Sequence, residues 1–213
     1  MTHHLYSTEV VMKTTSVSVA VLLWLLLQGT AFRVVAQEKA PGSRFSHKGI
    51  KAALGFGSFD MSKDVKLKDG EAVGVSLGYG FSDRVSLWLS LFGAEHPQIP
   101  GQQSLTDFGG LELNLQYKFA TRSRFQPYGK VGVGGYALQV KDSDVTTTGS
   151  GFNLALGADF FFSRHFGIGA EVMFKGIDYN KETRKVNGSE VVSDLPQKLD
   201  GDSVGFMVTL TIQ

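Results

Sequence analysis

Ala72-Val-Gly-Val-Ser-Leu-Gly-Tyr-Gly-Phe81, Ser82-Asp-Arg84 and Val85-Ser-Leu-Trp-Leu-Ser-Leu-Phe92 are three consecutive pieces of the sequence. In the first and third pieces, apolar residues alternate with small or polar residues. Because successive side chains of a strand point to opposite faces, this period of two predicts two strands, and the polar piece between them predicts a tight antiparallel turn. The second face carries mostly Gly and Ser, not the Lys, Glu and Thr typical of a water-facing sheet.

The same alternation recurs along the chain and predicts eight strands of about ten residues, the length that a tilted strand needs to cross a bilayer. Short turns follow the second, fourth and sixth strands, and long polar loops follow the others. An even number of strands then places both chain ends at the turn end. We also expect a bulge or bend at Gly134-Gly135. The predicted strands cover 49–59, 72–81, 85–92, 108–119, 128–140, 152–162, 166–175 and 204–212, and the loops cover 60–70, 95–106, 141–151 and 180–203.

Two kinds of barrel fit this alternation. In a soluble, lipocalin-like barrel the apolar face points inward, whereas in a membrane barrel it contacts lipid. The nearly unbroken apolar face and the small residues opposite it favour the membrane barrel, because the lumen of eight strands holds only small side chains and a few paired charges. Aromatic residues near the strand ends predict two interfacial girdles. The girdles are Phe81, Tyr117, Phe119, Tyr128, Phe160, Phe162 and Phe166 at the turn end, and Phe92, Phe108, Phe152, Phe174 and Tyr179 at the loop end.

Composition excludes several classes of function. The formal net charge of the 213 residues is +1, which gives no support to nucleic-acid binding. The chain has no Cys, so disulfides, thiolate metal sites and a Cys nucleophile are ruled out. We expect no cofactor.

The first 36 residues are typical of a secretory signal peptide. Lys13 precedes a short apolar run at 17–27, and small residues before position 37 suit cleavage after Ala36. Met12 is the better candidate for the start of translation, and Met1 is the alternative. A membrane anchor is the alternative, but the run is shorter than the ~20 residues of a spanning helix. Residues 37–47 are then a flexible lead-in, and 48–213 form the barrel.

Charged residues on the inward face predict a polar network in the lumen. We assign Glu112, Lys130, Asp159 and Glu171 to this network and expect Lys130 to pair with Asp159 on the neighbouring strand, because buried charges need partners. Two interpretations stay open: a satisfied network that plugs the barrel, with Trp88 adding to it, and a gated pore or proton path. The other inward-facing charges are Lys51, Lys118 and Lys175.

Other candidate sites are weak. His165 and Ser163 lie in one turn, but no acidic residue adjoins them to complete a catalytic triad. Asp142, Asp144 and the acidic residues of the last loop are candidate cation ligands whose spacing gives no ligand set. The sequence therefore predicts no catalytic, cofactor-binding or metal-binding residues.

Three segments carry a family resemblance: GYGFSDRVSL at 78–87, QPYGKVGVGGY at 126–136 and LGADF at 156–160. They resemble the small outer-membrane barrels of Gram-negative bacteria, the OmpA/OmpX-like group, although this chain ends in Thr211-Ile-Gln213 where such chains usually end in an aromatic residue. The resemblance implies an eight-stranded antiparallel up-and-down transmembrane β-barrel in the outer membrane.

The function that we expect is non-enzymatic, combining envelope stabilisation with binding by the surface loops. Two alternatives are a lipid-modifying enzyme in a similar barrel, which predicts a Ser–His–acid cluster near the outer membrane boundary, and a secreted lipocalin-like carrier of a small apolar ligand. The expected partners are outer-membrane lipids, periplasmic chaperones and the barrel-insertion machinery, and a surface or host ligand. We expect a monomer that binds no nucleic acid.

Overall fold

The computed structural model describes residues 45–61, 69–97, 105–141, 144–186 and 189–213. The predicted signal peptide, and the lead-in up to residue 44, lie outside the described residues. The described segments are almost entirely β-structure, and none of them forms a helix that is long and apolar enough to cross a membrane. The strands are β1 (Gly49–Met61), β2 (Gly70–Gly80), β3 (Val85–Pro97), β4 (Leu105–Lys118), β5 (Phe125–Val140), β6 (Val145–Phe161), β7 (Phe166–Val186), β8 (Ser189–Asp200) and β9 (Ser203–Ile212).

Eight of these strands form a closed antiparallel barrel, which confirms the predicted fold. Strands β1 to β7 pair in sequence order, and β9 closes the wall by pairing with both β7 and β1. Ile212 lies opposite Ala52 on one side and Phe166 on the other. The barrel therefore has no open edge, as hydrocarbon requires of its backbone hydrogen bonds.

The apolar face of the wall points outward, as predicted. Leu111, Leu113 and Leu115 are exposed on the outside of β4, whereas the alternating Glu112 and Asn114 are buried in the lumen. This arrangement is the reverse of that in a soluble carrier, so the lipocalin-like alternative is wrong. An outer surface of this kind is stable only in lipid.

The small inward residues make room for large neighbours. Gly78 lies opposite Trp88 in the β2–β3 ladder, and a Cβ atom on Gly78 would lie 2.6 Å from the Trp88 ring. The indole therefore occupies the space on the lumen side of this glycine.

Two of the predicted loops contain β-structure. Residues 180–203 were expected to be a loop, but most of them form a β-hairpin in which β8 pairs with the extended end of β7. Strand β6 begins at Val145, inside the predicted loop 141–151. Every non-proline residue carries a main-chain donor and acceptor, so cross-strand pairing continues through these segments although their hydrophobic alternation is weak.

Of the bulge or bend expected at Gly134-Gly135, the bulge is wrong, and the bend stays a prediction. Both ladders of β5 run through these glycines without a register shift. The irregularity lies instead between Thr148 and Gly149, where β7 contributes an extra residue, Asn180.

The aromatic girdle is present at the turn end, with one exception. Phe81, Tyr117, Phe119, Phe160, Phe162 and Phe166 are exposed on the outside, but Tyr128 is buried in the lumen. At the loop end, only Phe152 and Phe174 face outward, and Phe92, Phe108 and Tyr179 are buried inside. These four residues lie on the inward parity of their strands, so distance from the strand end was the wrong criterion for assigning them to a girdle.

The lumen as the candidate functional site

Two ion pairs occupy the middle of the lumen. Lys175 of β7 pairs with Glu112 of β4. Lys130 of β5 pairs with Glu171 of β7, with 2.6 Å between Nζ and Oε2. Apart from Lys130, these side chains are almost wholly buried, so each charge depends on its partner.

Hydroxyl and amide groups complete the hydrogen bonding of both carboxylates. Tyr136 Oη donates to Glu112 Oε1 over 3.0 Å, and Asn114 Nδ2 donates to Glu112 Oε2 over 3.3 Å. Tyr128 Oη donates to Glu171 Oε2 over 2.9 Å. Gly157 of β6 lies between Tyr128 and Glu171 in the ladders, and a Cβ there would lie 2.6 Å from the Tyr128 ring. The missing side chain at Gly157 lets the tyrosine reach across β6.

The predicted Lys130–Asp159 pair is wrong. In the β5–β6 ladder, Lys130 lies opposite Ala155, and Asp159 lies four residues further along the strand, opposite Gln126. Four residues correspond to about 13 Å along a strand. Asp159 pairs instead with Lys118 of β4, at 2.8 Å.

A turn-end plug, formed by Phe45, His47, Lys118, Asp159 and Phe161, closes the lumen at the end that carries the tight turns. Lys118 Nζ donates to Gln126 as well as Asp159 and lies 4.5 Å from the centre of the Phe161 ring. The rings of Phe45 and His47 lie 6.0 and 5.3 Å from that of Phe161. Residues that the sequence assigns to a flexible lead-in are therefore buried here.

The backbone at the start of β1 permits this plug. Gly49 has a φ of 101°, a conformation that residues with a side chain rarely adopt. It allows the chain to turn from the mouth of the barrel into the wall. His47 is then held by a 2.7 Å hydrogen bond between its Nδ1 and Gln213 Oε1, and by its backbone N–H, which donates to Asp83.

Protonation of His47 should release residues 45–47 from the turn-end plug. Burial, followed by the Lys118 ammonium, lowers the pKa of His47 from 6.5 to about 4. His47 binds a proton more readily when residues 45–47 are released from the mouth of the barrel. The docking of these residues is therefore strongest above pH 6.5, and its free energy weakens by up to about 3 kcal/mol as the pH falls to about 4. A spin label on Ser46→Cys should become mobile across this range.

The matched control is His47→Gln in the same labelled protein. This variant keeps a hydrogen-bonding partner for Gln213 but has no group that titrates near neutrality. Its label should show no transition between pH 6.5 and 4. Equal transitions in both proteins would mean that His47 does not control docking.

An aromatic cluster closes the loop end of the lumen. Phe59, Phe92, Phe108, Tyr136 and Tyr179 pack against one another or against shared neighbours, with Phe108 and Tyr136 stacked at 6.2 Å. Lys175 Nζ lies 4.4 Å from the centre of the Phe92 ring. Two half-buried residues of the outer hairpin, Leu195 and Leu199, pack against this cluster. The sequence analysis did not predict this closure. The alternation of each strand nevertheless places these aromatic residues on the inward face.

Between the two ends lies a cavity of about 60 Å³. Its lining includes Trp88, Asn114, Asn153 and Thr209. A site of this size and polarity holds a few water molecules but no larger solute.

The described residues contain no metal-binding cluster, and the candidate residues Ser163 and His165 contact backbone atoms. His165 Nδ1 lies 2.9 Å from the backbone oxygen of Gln213, and Ser163 Oγ accepts hydrogen bonds from the backbone of the same turn. His96 is buried near Phe108. No three potential metal ligands come together in the described part of the chain, and Asp142 lies outside it.

One protein family matches nearly the whole of the barrel. Residues 25–211 match the model of the outer membrane protein beta-barrel domain. The chain belongs to this family. As a member of the outer membrane protein beta-barrel family, it is located in the bacterial outer membrane. No curated protein matches the chain by sequence.

Solved structures show the same fold at low sequence identity. Neisserial surface protein A is 15% identical with a TM-score of 0.57, and the match covers 76% of this chain and 94% of that one. OprG from Pseudomonas aeruginosa is 17% identical with a TM-score of 0.54, covering 81% and 100%. The outer membrane protease OmpT from Escherichia coli is 8% identical with a TM-score of 0.42, covering 81% and 99%. At these identities, the first two matches establish the fold and leave the activity to be argued from the site.

Proposed function

We propose that this protein is a non-enzymatic, non-conducting barrel that stabilises the envelope and presents its outer hairpin and loops to surfaces or host ligands. The observation that carries the proposal is the filled lumen. Side chains close both ends, and the remaining cavity of about 60 Å³ is too small for a continuous water-filled path. The satisfied network of Glu112, Lys130, Asp159 and Glu171 supports the plug over the gated pore.

The outer hairpin supports the binding part of the proposal. Strand β7 has 21 residues, about twice the length needed to cross a bilayer. Its outer half pairs with β8, whose side chains are nearly all exposed. Loops and hairpins on a rigid scaffold are the usual place for binding residues. We assign no ligand to the hairpin.

The lipid-modifying enzyme finds no support among the described residues. That hypothesis needs a Ser–His–acid cluster near the outer membrane boundary. Of the histidines in the described segments, His47 and His165 lie at the turn end, and His96 is buried in the loop-end mouth. We therefore propose that the protein has no activity on lipids. We also propose that it is a monomer that reaches the membrane with the help of periplasmic chaperones and the insertion machinery.

The test of this function has two arms. In the first, the folded protein is added to planar bilayers in concentrated KCl at pH 7, and we expect no single-channel steps. In the second, intact cells expressing the protein are treated with trypsin. We expect cleavage after Arg184 or Lys185, which are exposed on the hairpin, and none after Arg122 or Arg164 in the turns.

Each arm has an outcome that contradicts the proposal. Regular conductance steps would show an open lumen and favour the gated pore. Fragments ending at Arg122 or Arg164, with the hairpin uncut, would show that the turns face outward and that the hairpin cannot contact external surfaces. Protein unfolded before digestion provides the control, because all four sites are then accessible.

A further inference from the structure

The turn end of the barrel is held together as a ring of five segments. These are the turns at 81–84, 118–124 and 161–165, the C-terminal residue Gln213, and residues 45–48. Each is joined to the next by at least one hydrogen bond. The bonds are Lys118 N to Arg84 O, Phe161 N to Arg124 O, Gln213 N to His165 O, His47 Nδ1 with Gln213 Oε1, and His47 N to Asp83 Oδ1. The backbone of the segments that carry the charges of this ring is therefore held in place.

The ring is strongly basic. Five exposed cations lie on it: Lys48, Arg84, Arg122, Arg124 and Arg164. The opposing charges are the half-buried Asp83, which already accepts the His47 N–H, and the C-terminal carboxylate. In the part of the chain that the structure describes, no carboxylate forms an ion pair with any of the four guanidinium groups.

The arginines lie at the depth of the membrane interface. Each is within three residues of an aromatic side chain exposed on the lipid-facing wall, and Arg84 Nη1 donates to Tyr117 Oη over 3.1 Å. Exposed aromatic rings mark the level of the lipid headgroups. The neighbouring aromatic residues are Phe81, Phe119, Phe125, Phe162 and Phe166.

The loop end has the opposite balance. Among the described residues beyond the lipid-facing wall at that end, carboxylates outnumber cations. The exposed or half-buried acids include Asp60, Glu71, Glu95, Asp107, Asp144, Asp178, Glu190, Asp194, Asp200 and Asp202, and the cations include Lys141, Lys181, Arg184, Lys185 and Lys198. Among the described residues, the turn end of the barrel is therefore positively charged and the loop end negatively charged.

We propose that the basic ring binds the phosphate groups of anionic phospholipids in the leaflet at the turn end. A guanidinium group binds phosphate through two parallel hydrogen bonds, and basic residues at a membrane surface attract anionic headgroups. Phospholipid is favoured over an acidic protein because the arginines continue directly from the lipid-facing aromatic girdle. The inference goes beyond the proposed function and does not depend on what the outer hairpin contacts.

The test measures which lipids contact the folded barrel. The protein is reconstituted in phosphatidylcholine vesicles with trace spin-labelled phosphatidylglycerol or phosphatidylcholine, and electron paramagnetic resonance gives the fraction of each label immobilised by the protein. One contact with a basic residue favours an anionic lipid over phosphatidylcholine by about fivefold. The leaflet at the loop end should show no preference, so the average over both leaflets should be about a threefold preference for phosphatidylglycerol. It should fall to about one in the variant R84Q/R122Q/R124Q/R164Q and should decrease in high salt.

The matched control removes the same charge at the other end, in the variant K141Q/K181Q/R184Q/K185Q. It should retain the preference for phosphatidylglycerol. Because none of these side chains lies in the lumen, both variants should fold, and a gel mobility shift on heating checks this. The proposal is overturned if the wild-type protein shows no preference, if the turn-end variant keeps it, or if both variants lose it equally.

Discussion

Replacing Glu112 with Ala should destabilise the barrel by about 3–5 kcal/mol, because it leaves the Lys175 ammonium buried without its counter-ion. Lys175 is enclosed by the rings of Phe59 and Phe92, and the lumen carboxylate of Glu171 already accepts hydrogen bonds from Lys130 and Tyr128. Denaturant unfolding in lipid vesicles, followed by the fluorescence of Trp88, measures the change.

Two further variants separate the loss of the pair from the loss of a carboxylate. The exposed pair between Lys141 and Glu95 is the matched control, and Glu95→Ala should change the free energy of unfolding by less than about 1 kcal/mol. The double variant E112L/K175M removes both charges and should recover most of the stability. If E112A and E95A are equally stable, the lumen charges do not depend on one another and the plug is wrongly described.

The sidedness of the wall was predictable from the sequence, because it depends only on alternation. Strand β4 shows this most clearly. Leu111, Leu113 and Leu115 are on one parity and Glu112 and Asn114 on the other, and a period of two assigns all five residues at once. The number of wall strands and the tight turns follow from the same pattern.

The pairing inside the lumen was not predictable in the same way. Each of the three lumen ion pairs among the described residues joins strands that are not neighbours: Lys118 and Asp159 span β5, Lys130 and Glu171 span β6, and Glu112 and Lys175 span both. Such contacts depend on register across several strands and on side chains that cross a narrow lumen. The hydrophobic period of a single strand predicts neither of these properties.

The closures at the two ends were missed for a different reason. Phe92, Phe108 and Tyr179 were grouped with the outer girdle by their position near strand ends, although their parity points inward. Phe45 and His47 precede the first strand, where no alternation exists, and they are buried only because the mouth of the barrel offers Phe161 and Gln213 as partners. Burial of this kind needs tertiary structure.

Replacing Leu113 with Arg should destabilise the barrel, because it introduces a charge on the face that contacts lipid. Leu113 is 46% exposed on the outside of β4, four residues from Tyr117 in the turn-end girdle. For a strand tilted by about 40°, this distance is about 10 Å along the membrane normal, close to the middle of the apolar band. An Arg on the lipid face at this depth costs about 2–4 kcal/mol.

Val191 provides the matched control for this substitution. It is 52% exposed, similar to Leu113, but it lies on the outer hairpin, beyond the part of β7 that crosses the membrane. Water solvates an Arg there, so Val191→Arg should leave the stability within about 0.5 kcal/mol of the wild-type value.

The free energies of unfolding of L113R and V191R, measured side by side in the same lipid vesicles, show whether the apolar parity contacts acyl chains. We predict that L113R is less stable than V191R by at least about 2 kcal/mol. Equal stabilities would mean that Leu113 and Val191 have the same surroundings, and the outward face of the barrel would then not be in lipid.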